Sequence, residues 1–321
     1  MRTALPTQPP GEPDRDGPVP DQSFRTVAVA LVANLGVAIA KFVGAVVTRS
    51  TVMSAEAAHA CADTANQVLL LIAQRRSDRP ADSRHPLGYG REAYFWALIA
   101  SVVVFVAGAA FSLREGVLEL LHPIRDAAFL AVYVVLAIST VLDSLSLYQA
   151  VRQLRLEARL FHRDFLDQVM LTSDPTVRAV FAEDAAAIAG DLIGFVGVGL
   201  HQTTGSSIPE GVAAVLIGAL LVGVGWQLAR RNRDFLLGEQ APPSAIDAVR
   251  GFLLVFPGVV SIQELLVTFV GPRQLWVVAR VDIDDALTGR EVEQLARTIE
   301  TGLQHESNFI RRVDVVPIGA V

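Results

Sequence analysis

Residues 52–74 read VMSAEAAHACADTANQVLLLIAQ, a stretch of small and apolar residues with a few ionisable ones among them. About 20 such residues suffice to cross the ~30 Å hydrocarbon core of a bilayer as a helix. Five further apolar stretches of similar length stand at residues 26–48, 92–113, 127–151, 177–201 and 208–229. With 52% hydrophobic and 19% charged residues, the chain is more apolar than an ordinary soluble domain. The sequence therefore predicts an α-helical membrane protein with six transmembrane helices in a lipid bilayer.

The basic residues alternate between the segments that join the six stretches. Arginines cluster in the links at 75–91 and 152–178 and again at 230–233, whereas the opposite links hold few or none. Basic residues near the ends of spans stay on the cytoplasmic side, so this alternation indicates an even number of spans. We expect a multi-pass protein of the cell membrane with both termini in the cytoplasm.

Three regions of different composition follow one another along the chain. Residues 1–23 contain six prolines and scattered charges, which predicts a disordered cytoplasmic tail. Residues 24–238 hold the six spans and form the predicted transmembrane domain. Residues 239–321 are too polar for lipid and predict a cytoplasmic C-terminal domain.

The predicted C-terminal domain shows both helical and strand periodicity. A helix at 244–255, strands at 259–270 and 274–283, an amphipathic helix at 290–304 and a strand at 309–317 are expected. This α-β-β-α-β order fits a small, ferredoxin-like α+β sheet with its helices on one face. Because so small a domain has a small core, docking on a second copy of the chain would help to stabilise it.

Composition and motifs exclude several functional classes. The net charge of −6 argues against nucleic acid as a partner, because phosphate binding needs a clustered basic surface. The single cysteine, Cys61, excludes an intrachain disulfide framework and a cysteine-rich zinc site. No GxSxG, HExxH or Gly-rich phosphate loop is present, so we expect neither an enzyme nor a resident cofactor. Any active transport must then draw its energy from a gradient.

The second span carries a pair of metal-ligand residue types. His59 and Asp63 are four residues apart and share one face of a helix, which Glu56 and Asn66 extend. Ionisable groups at membrane depth are costly unless they are paired or hydrated, so a functional role is the default interpretation. Imidazole with carboxylate suits Zn²⁺ and also accommodates Mn²⁺, Fe²⁺ or Co²⁺. The alternative is an internal His–Asp hydrogen bond that stabilises the helix bundle.

The fifth span adds three acids, Glu183, Asp184 and Asp191. Asp184 together with His59 and Asp63 would supply three metal ligands, and Glu183, water or a backbone oxygen would supply a fourth. Glu183 is provisional, because it could instead be a group at the cytoplasmic mouth that touches water. Asp191 is a candidate for proton relay or for a hydrogen bond to another span.

Several other ionisable residues lie in or near the spans. Asp143 of the fourth span either attracts entering cations or relays protons, or hydrogen-bonds across the bundle. Lys41 of the first span is expected to snorkel to the interface rather than neutralise a carboxylate. His85 is interpreted as a loop residue without a ligand role. Four further histidines are interpreted as isolated structural residues: His122, His162, His201 and His305.

Metal and protons would compete for one site, because histidine and aspartate must lose protons to bind metal. Such competition couples opposite movements of the two ions and predicts a metal–proton antiporter. The rivals are a membrane metal sensor or scaffold that does not transport, a channel, and an integral-membrane enzyme. Metal flux would distinguish a transporter from a sensor or scaffold. Dependence of that flux on a pH gradient would distinguish an antiporter from a channel.

Residues 24–321 resemble the cation diffusion facilitators. The resemblance rests on His59-Ala-Cys-Ala-Asp63, on the loop His85-Pro-Leu-Gly-Tyr-Gly-Arg91, and on six spans followed by an α-β-β-α-β domain. It implies a homodimer that exports zinc or related divalent ions in exchange for protons by alternating access. It also implies two metal ligands from the second span and two from the fifth, and His59, Asp63 and Asp184 match these positions.

The sequence departs from that family pattern at one ligand position. Val180 stands four residues before Asp184, where the family has its second histidine. The run Ser173-Asp-Pro-Thr leading to Glu183-Asp184 is similar to the branch related to the mitochondrial zinc transporters. The departure leaves open whether Glu183 or water completes the site, and it leaves room for a harder ion such as Mn²⁺.

The C-terminal domain offers few metal ligands. The family's histidine-rich loop is missing, and an acidic group in this domain is interpreted as a solvated turn: Asp282, Asp284 and Asp285. Dimerisation is therefore the role that we expect for the C-terminal domain.

Overall fold

The computed structural model describes residues 21–123, 128–160 and 164–318. Six long helices and one short helix form the first part of these residues. They are α1 (Asp21–Thr48), α2 (Thr51–Ser77), α3 (Glu92–Leu121), α4 (Phe129–Leu160), the short α5 (Phe165–Leu171), α6 (Pro175–Thr204) and α7 (Ile208–Leu236). Each predicted span corresponds to one long helix, and α5 was not predicted. Most of the predicted tail lies outside the described residues, and α1 already begins at Asp21.

The long helices differ in how well they suit lipid. By length and apolar composition alone, three of the described helices could cross a bilayer: α3, residues 129–156 of α4, and α7. Residues 34–48 of α1 form a shorter apolar stretch of helix. The helices α2 and α6 are not among these three, and both carry ionisable residues of the candidate site. Large apolar side chains such as Phe42, Leu130 and Trp226 are exposed on α1, α4 and α7, as expected of surfaces that face hydrocarbon.

The sequence around the two polar helices explains where they begin and end. Ser50 caps the start of α2, where its hydroxyl accepts a hydrogen bond from the backbone N–H of Met53. Asp174 caps α6 in the same way, and Pro175 occupies the first turn, where a missing N–H costs nothing. Gly205 ends α6 in the left-handed conformation, with φ of 69°. Both polar helices therefore have well-defined starting points.

The C-terminal part is a three-stranded sheet with two helices. Its elements are α8 (Pro243–Leu253), β1 (Val259–Gly271), β2 (Gln274–Ile283), α9 (Gly289–Glu306) and β3 (Ile310–Ile318). Strand β2 is central, antiparallel to β1 and parallel to β3, and α9 provides the crossover. Residues from both helices, including Leu253 and Leu303, join alternate β2 residues such as Val277 in one core. The predicted α-β-β-α-β fold is confirmed.

The C-terminal part packs against one end of the helix bundle. Tyr94 of α3 and Phe235 of α7 belong to its core, and the two rings stack with centroids 5.0 Å apart. Phe235 also meets Phe269 of β1 edge-on at 5.3 Å. The loop before α3 touches the β1–β2 turn so closely that a Cβ on Gly90 would lie 2.6 Å from the carbonyl oxygen of Val270. The domain boundary at residues 238 and 239 stays a prediction.

Candidate metal site

His59 and Asp63 face the same side of α2, as predicted. His59 Nε2 lies 3.4 Å from Asp63 Oδ2, and the two side chains are 1% and 17% exposed. At this separation the pair makes no hydrogen bond. The internal His–Asp hydrogen bond considered as an alternative is therefore absent from the described residues.

Several buried polar atoms of this region have no hydrogen-bond partner within the described part of the chain. They include both ring nitrogens of His59, Oδ1 of Asp63 and Oδ2 of Asp184, together with Oε1 of Gln67 and of Glu56. Leaving a buried polar atom unpaired typically costs about 1–3 kcal/mol, and more for a charged one. A neutral imidazole and carboxylates are also the donor set that Zn²⁺ and neighbouring divalent metals accept. The unpaired atoms therefore suit a divalent cation.

The acids of α6 are oriented by neighbouring helices. Glu183 is 3% exposed, and its Oε1 accepts a hydrogen bond from Nδ2 of Asn66 on α2. The burial of Glu183 disfavours the alternative interpretation, a group in contact with water at the cytoplasmic mouth. Asp184 lies beside the Ser146 side chain of α4. Glu183 is therefore held towards α2, whereas Asp184 faces α4.

A small cavity brings the acids of three helices together. It has a volume of about 20 Å³, and its wall includes Asp63 of α2, Asp143 of α4, and Glu183 and Asp184 of α6. This volume accommodates roughly one water-sized particle. In the part of the chain that the structure describes, no three His, Cys, Asp or Glu side chains already lie close enough to hold a metal ion. Coordination would therefore require side chains to converge on the cavity.

Asp143 and Asp191 have different surroundings. Asp143 lines the cavity and accepts a hydrogen bond of 3.0 Å from the hydroxyl of Ser139. Asp191 is fully buried, and its Oδ2 accepts a hydrogen bond of 2.9 Å from Thr140 of α4. Of the two roles considered for Asp191, the geometry favours the bond to another helix. The position of Asp143 on the cavity wall is compatible with ion entry or proton relay.

The expectation that Lys41 snorkels to the interface is wrong. Lys41 is 2% exposed, and its Nζ lies 2.7 Å from Oε2 of Glu56 and 3.3 Å from Oδ1 of Asp191. It also lines the cavity beside Asp63. The position of a lysine in one helix does not reveal that acids of two other helices meet it. Lys41 is the residue of this region that sequence reasoning missed.

One histidine expected to be isolated is paired instead. His201 at the end of α6 is 2% exposed, and its Nδ1 lies 2.6 Å from Oε1 of Glu210 at the start of α7. The hydroxyl of Ser50, before α2, donates to the other oxygen of Glu210. This buried group joins three helix ends and is structural. His162 lies outside the described residues.

The loop that contains His85 is organised by an exposed acid. Asp82 accepts hydrogen bonds from the Tyr89 hydroxyl at 2.7 Å and from the backbone N–H groups of Arg84 at 2.9 Å and His85 at 2.7 Å. These bonds lower the pKa of Asp82 to about 2, with the Tyr89 hydroxyl as the largest cause. The His85 ring lies against the Tyr89 ring at 4.2 Å. The neighbours of His85 are thus other loop residues, and its lack of a ligand role stays a prediction.

The sequence of the chain is similar to a family model and to several known proteins. Residues 27–237 match the family model described as the cation efflux transmembrane domain. The human mitochondrial proton-coupled zinc antiporter SLC30A9 is 32% identical over 266 residues, which are 83% of this chain and 47% of that protein. Metal tolerance protein C4 of Arabidopsis thaliana is 30% identical over 277 residues, 84% of this chain and 61% of that protein. The manganese efflux system protein MneP of Bacillus subtilis is 22% identical over 302 residues, 91% and 95% of the two chains.

The chain spans about half the length of the human relative. The family model describes a cation efflux domain, and the human and Bacillus subtilis relatives are named as a zinc antiporter and a manganese efflux protein, which supports a transporter and not an enzyme. The relationship to the mitochondrial zinc transporter branch, predicted from Glu183-Asp184 and the residues before it, is confirmed. The chain therefore belongs to the cation efflux family, the cation diffusion facilitators, and is related to its mitochondrial zinc transporter branch.

Proposed function

We propose that this chain is an efflux transporter that exchanges a divalent metal ion for protons. The ion binds between α2 and α6, with His59, Asp63 and Asp184 as ligands and Glu183 as the fourth. The observation that carries the proposal is a cavity of ionic size whose wall includes Asp63 and Asp184, each with a carboxylate oxygen that has no hydrogen-bond partner among the described residues. His59 does not line the cavity, but its unpaired ring lies beside Asp63. Zn²⁺ is the proposed substrate, and Mn²⁺, Fe²⁺ and Co²⁺ are the alternatives.

Glu183 takes the role that a second histidine has in other family members. Its carboxylate points towards α2 because Asn66 holds it there, whereas Val180 can offer no ligand atom. Three carboxylates with one imidazole make a harder ligand set than two imidazoles with two carboxylates. Such a set still accepts Zn²⁺ and discriminates less strongly against Mn²⁺. The names of the relatives, a zinc antiporter and a manganese efflux protein, are compatible with either ion.

Proton coupling follows from the chemistry of the same residues. A carboxylate or imidazole that releases the metal can take up a proton, so the site carries protons in one direction and metal in the other. Asp143 on the cavity wall is the proposed entry or relay group. Alternating access would arise when α2 and α6 change their packing and open the cavity to one side or the other. No separate energy source is needed.

The proposed assembly is a homodimer in the cell membrane with both termini in the cytoplasm. The C-terminal part carries large exposed apolar side chains that a second copy could cover, including Val255, Val260 and Leu266. In this arrangement residues 24–238 form the transmembrane domain and residues 239–321 the dimerising cytoplasmic domain. Chemical cross-linking of membranes that contain the full chain checks the dimer.

Flux through proteoliposomes tests the proposed function. We expect saturable uptake of Zn²⁺ or Mn²⁺ that rises with an opposing pH gradient and is lost in His59→Ala and in Asp63→Asn. Asp285→Asn, on an exposed turn of the C-terminal part, is a control that should transport normally. Metal binding without flux would favour a sensor or scaffold, and flux that ignores the pH gradient would favour a channel. Either result would contradict the proposed antiport.

A further inference from the structure

Lys41 is the only lysine of a sequence with 27 lysine and arginine residues. It lies in α1 and is 2% exposed. An ammonium group at membrane depth is costly unless carboxylates neutralise it. Here Nζ lies 2.7 Å from Glu56 and 3.3 Å from Asp191. The only lysine of the chain is thus a buried, paired cation within the helix bundle.

The two partners of Lys41 belong to the helices that carry the proposed metal ligands. Glu56 precedes His59 by three residues on α2, about one helical turn. Asp191 follows Asp184 by seven residues on α6, about two turns. Lys41 also lines the cavity that Asp63, Glu183 and Asp184 line. Its charge therefore acts on the space that the transported ion would occupy.

We infer that Lys41 is a tethered cation that weakens metal binding in the cavity and so allows the ion to leave. This inference rests on the proposed function. Several carboxylates around a small buried space attract a divalent ion strongly, because charges interact more strongly inside a protein than in water. A fixed positive charge beside that space offsets part of the attraction. Lys41 is thus a residue that sets affinity, without being a metal ligand.

The surroundings of Lys41 favour lysine over arginine. Its ammonium occupies a narrow position between Oε2 of Glu56 and Oδ1 of Asp191. The other oxygen of Asp191 is held by Thr140 of α4, and Asp143 of the same helix is a further acid in this part of the bundle. A compact ammonium fits such a position, whereas a planar guanidinium with five donors needs more space and more acceptors.

Close packing on α6 keeps Glu56 in place. A Cβ on Gly190 would lie 2.5 Å from Oε1 of Glu56, so the absence of a side chain at this position allows the carboxylate to lie against α6. Glu56 is therefore confined between α6 and Lys41. A cation fixed in this way keeps its charge at a constant position relative to the cavity.

Removing the positive charge of Lys41 and the negative charge of Glu56, separately and together, tests the inference. Equilibrium binding of Zn²⁺ and Mn²⁺ to the full chain in detergent would be measured at mildly alkaline pH, where proton competition is weakest. We expect Lys41→Gln to lower the dissociation constant by about tenfold or more, since it removes a repulsive charge. Glu56→Gln, which leaves Lys41 with less compensation, should raise it. The double variant Lys41→Gln/Glu56→Gln removes one charge of each sign and should bind nearly as the unaltered protein does.

The signs of these changes separate electrostatics from simple loss of structure. Damage to packing would weaken binding in both single variants, and the double variant would be the worst. That pattern, or an unchanged affinity in Lys41→Gln, would overturn the inference. If Lys41→Gln does not fold, the Glu56→Gln variant alone still tests the inference. A metal affinity that is unchanged or higher in Glu56→Gln would overturn the inference. Failure of the unaltered protein to bind or transport metal would instead contradict the proposed function itself.

Discussion

Asn66 of α2 donates a hydrogen bond from Nδ2 to Oε1 of Glu183 on α6, and both side chains are buried. The bond joins the two helices that carry the proposed metal ligands. It also directs the Glu183 carboxylate towards α2, where His59 and Asp63 lie. Asn66 thus fixes the orientation of the Glu183 carboxylate.

Removing the charge of Glu183 should weaken metal binding. Glu183→Gln keeps the size of the side chain but offers a poorer ligand, so the dissociation constant for Zn²⁺ should rise by at least about tenfold. Asn66→Ala leaves the carboxylate but removes its orienting donor, and we expect a loss of about 10–100-fold. Equilibrium metal binding measures both. His305→Ala in the C-terminal part is a control, and an unchanged affinity in Glu183→Gln would exclude Glu183 as a ligand.

A histidine at position 180 should change the metal preference. Val180 lies one turn before Asp184, so Val180→His places an imidazole on the same face of α6. A second imidazole makes the ligand set softer, and the preference for Zn²⁺ over Mn²⁺ should increase by about tenfold. Competition between the two metals measures the ratio, with Val180→Leu as the control. If the ratio were the same in both variants, position 180 would not face the site.

Gly190 should tolerate a side chain less well than a helical glycine in open space does. A Cβ there would lie 2.5 Å from Oε1 of Glu56, so Gly190→Ala must displace the carboxylate or separate α2 from α6. We expect a loss of about 1–3 kcal/mol in stability, seen as a lower thermal unfolding midpoint in detergent. Gly223→Ala is the matched control, because no atom lies within 4 Å of its Cβ position on α7. Equal midpoints for the two variants would contradict the close packing of α2 and α6.

Asp82 should keep the loop before α3 ordered over a wide pH range. The low folded-state pKa, about 2 against an ordinary 3.8, means that its contribution is complete above pH ~4 and disappears as the pH falls through ~2. At neutral pH, Asp82→Ala should therefore loosen the loop and increase the rate of tryptic cleavage after Arg84, which is exposed and is not followed by a proline. Tyr89→Phe removes only one of the three hydrogen bonds and should have a smaller effect. Equal cleavage rates in Asp82→Ala and the unaltered protein would show that the loop is held by other contacts.

Much of this fold can be predicted from periodicity and residue type. The long helices, the order of the C-terminal elements and the shared face of His59 and Asp63 all depend on spacing along one segment. Because these features depend only on local spacing, a single sequence is enough to predict them. The short helix α5 was missed because its seven residues carry too little periodic signal.

Contacts between helices could not be predicted in the same way. The burial of Lys41 depends on Glu56 and Asp191, which lie 15 and 150 residues away in the sequence. The pairing of His201 with Glu210 depends on how tightly α6 turns into α7. The burial of Glu183 depends on Asn66, 117 residues before it. Each of these contacts depends on how the helices pack, so the sequence of one helix alone does not predict it.

The position of the bound ion would test the proposed site most directly. A structure of the full chain with Zn²⁺, solved with anomalous scattering at the zinc edge, would show where the metal lies. We predict a peak between α2 and α6, at about 2.0–2.2 Å from a ring nitrogen of His59 and from oxygens of Asp63 and Asp184. If the same protein preparation transports zinc into vesicles but the anomalous peak lies only elsewhere, the proposed site would be contradicted.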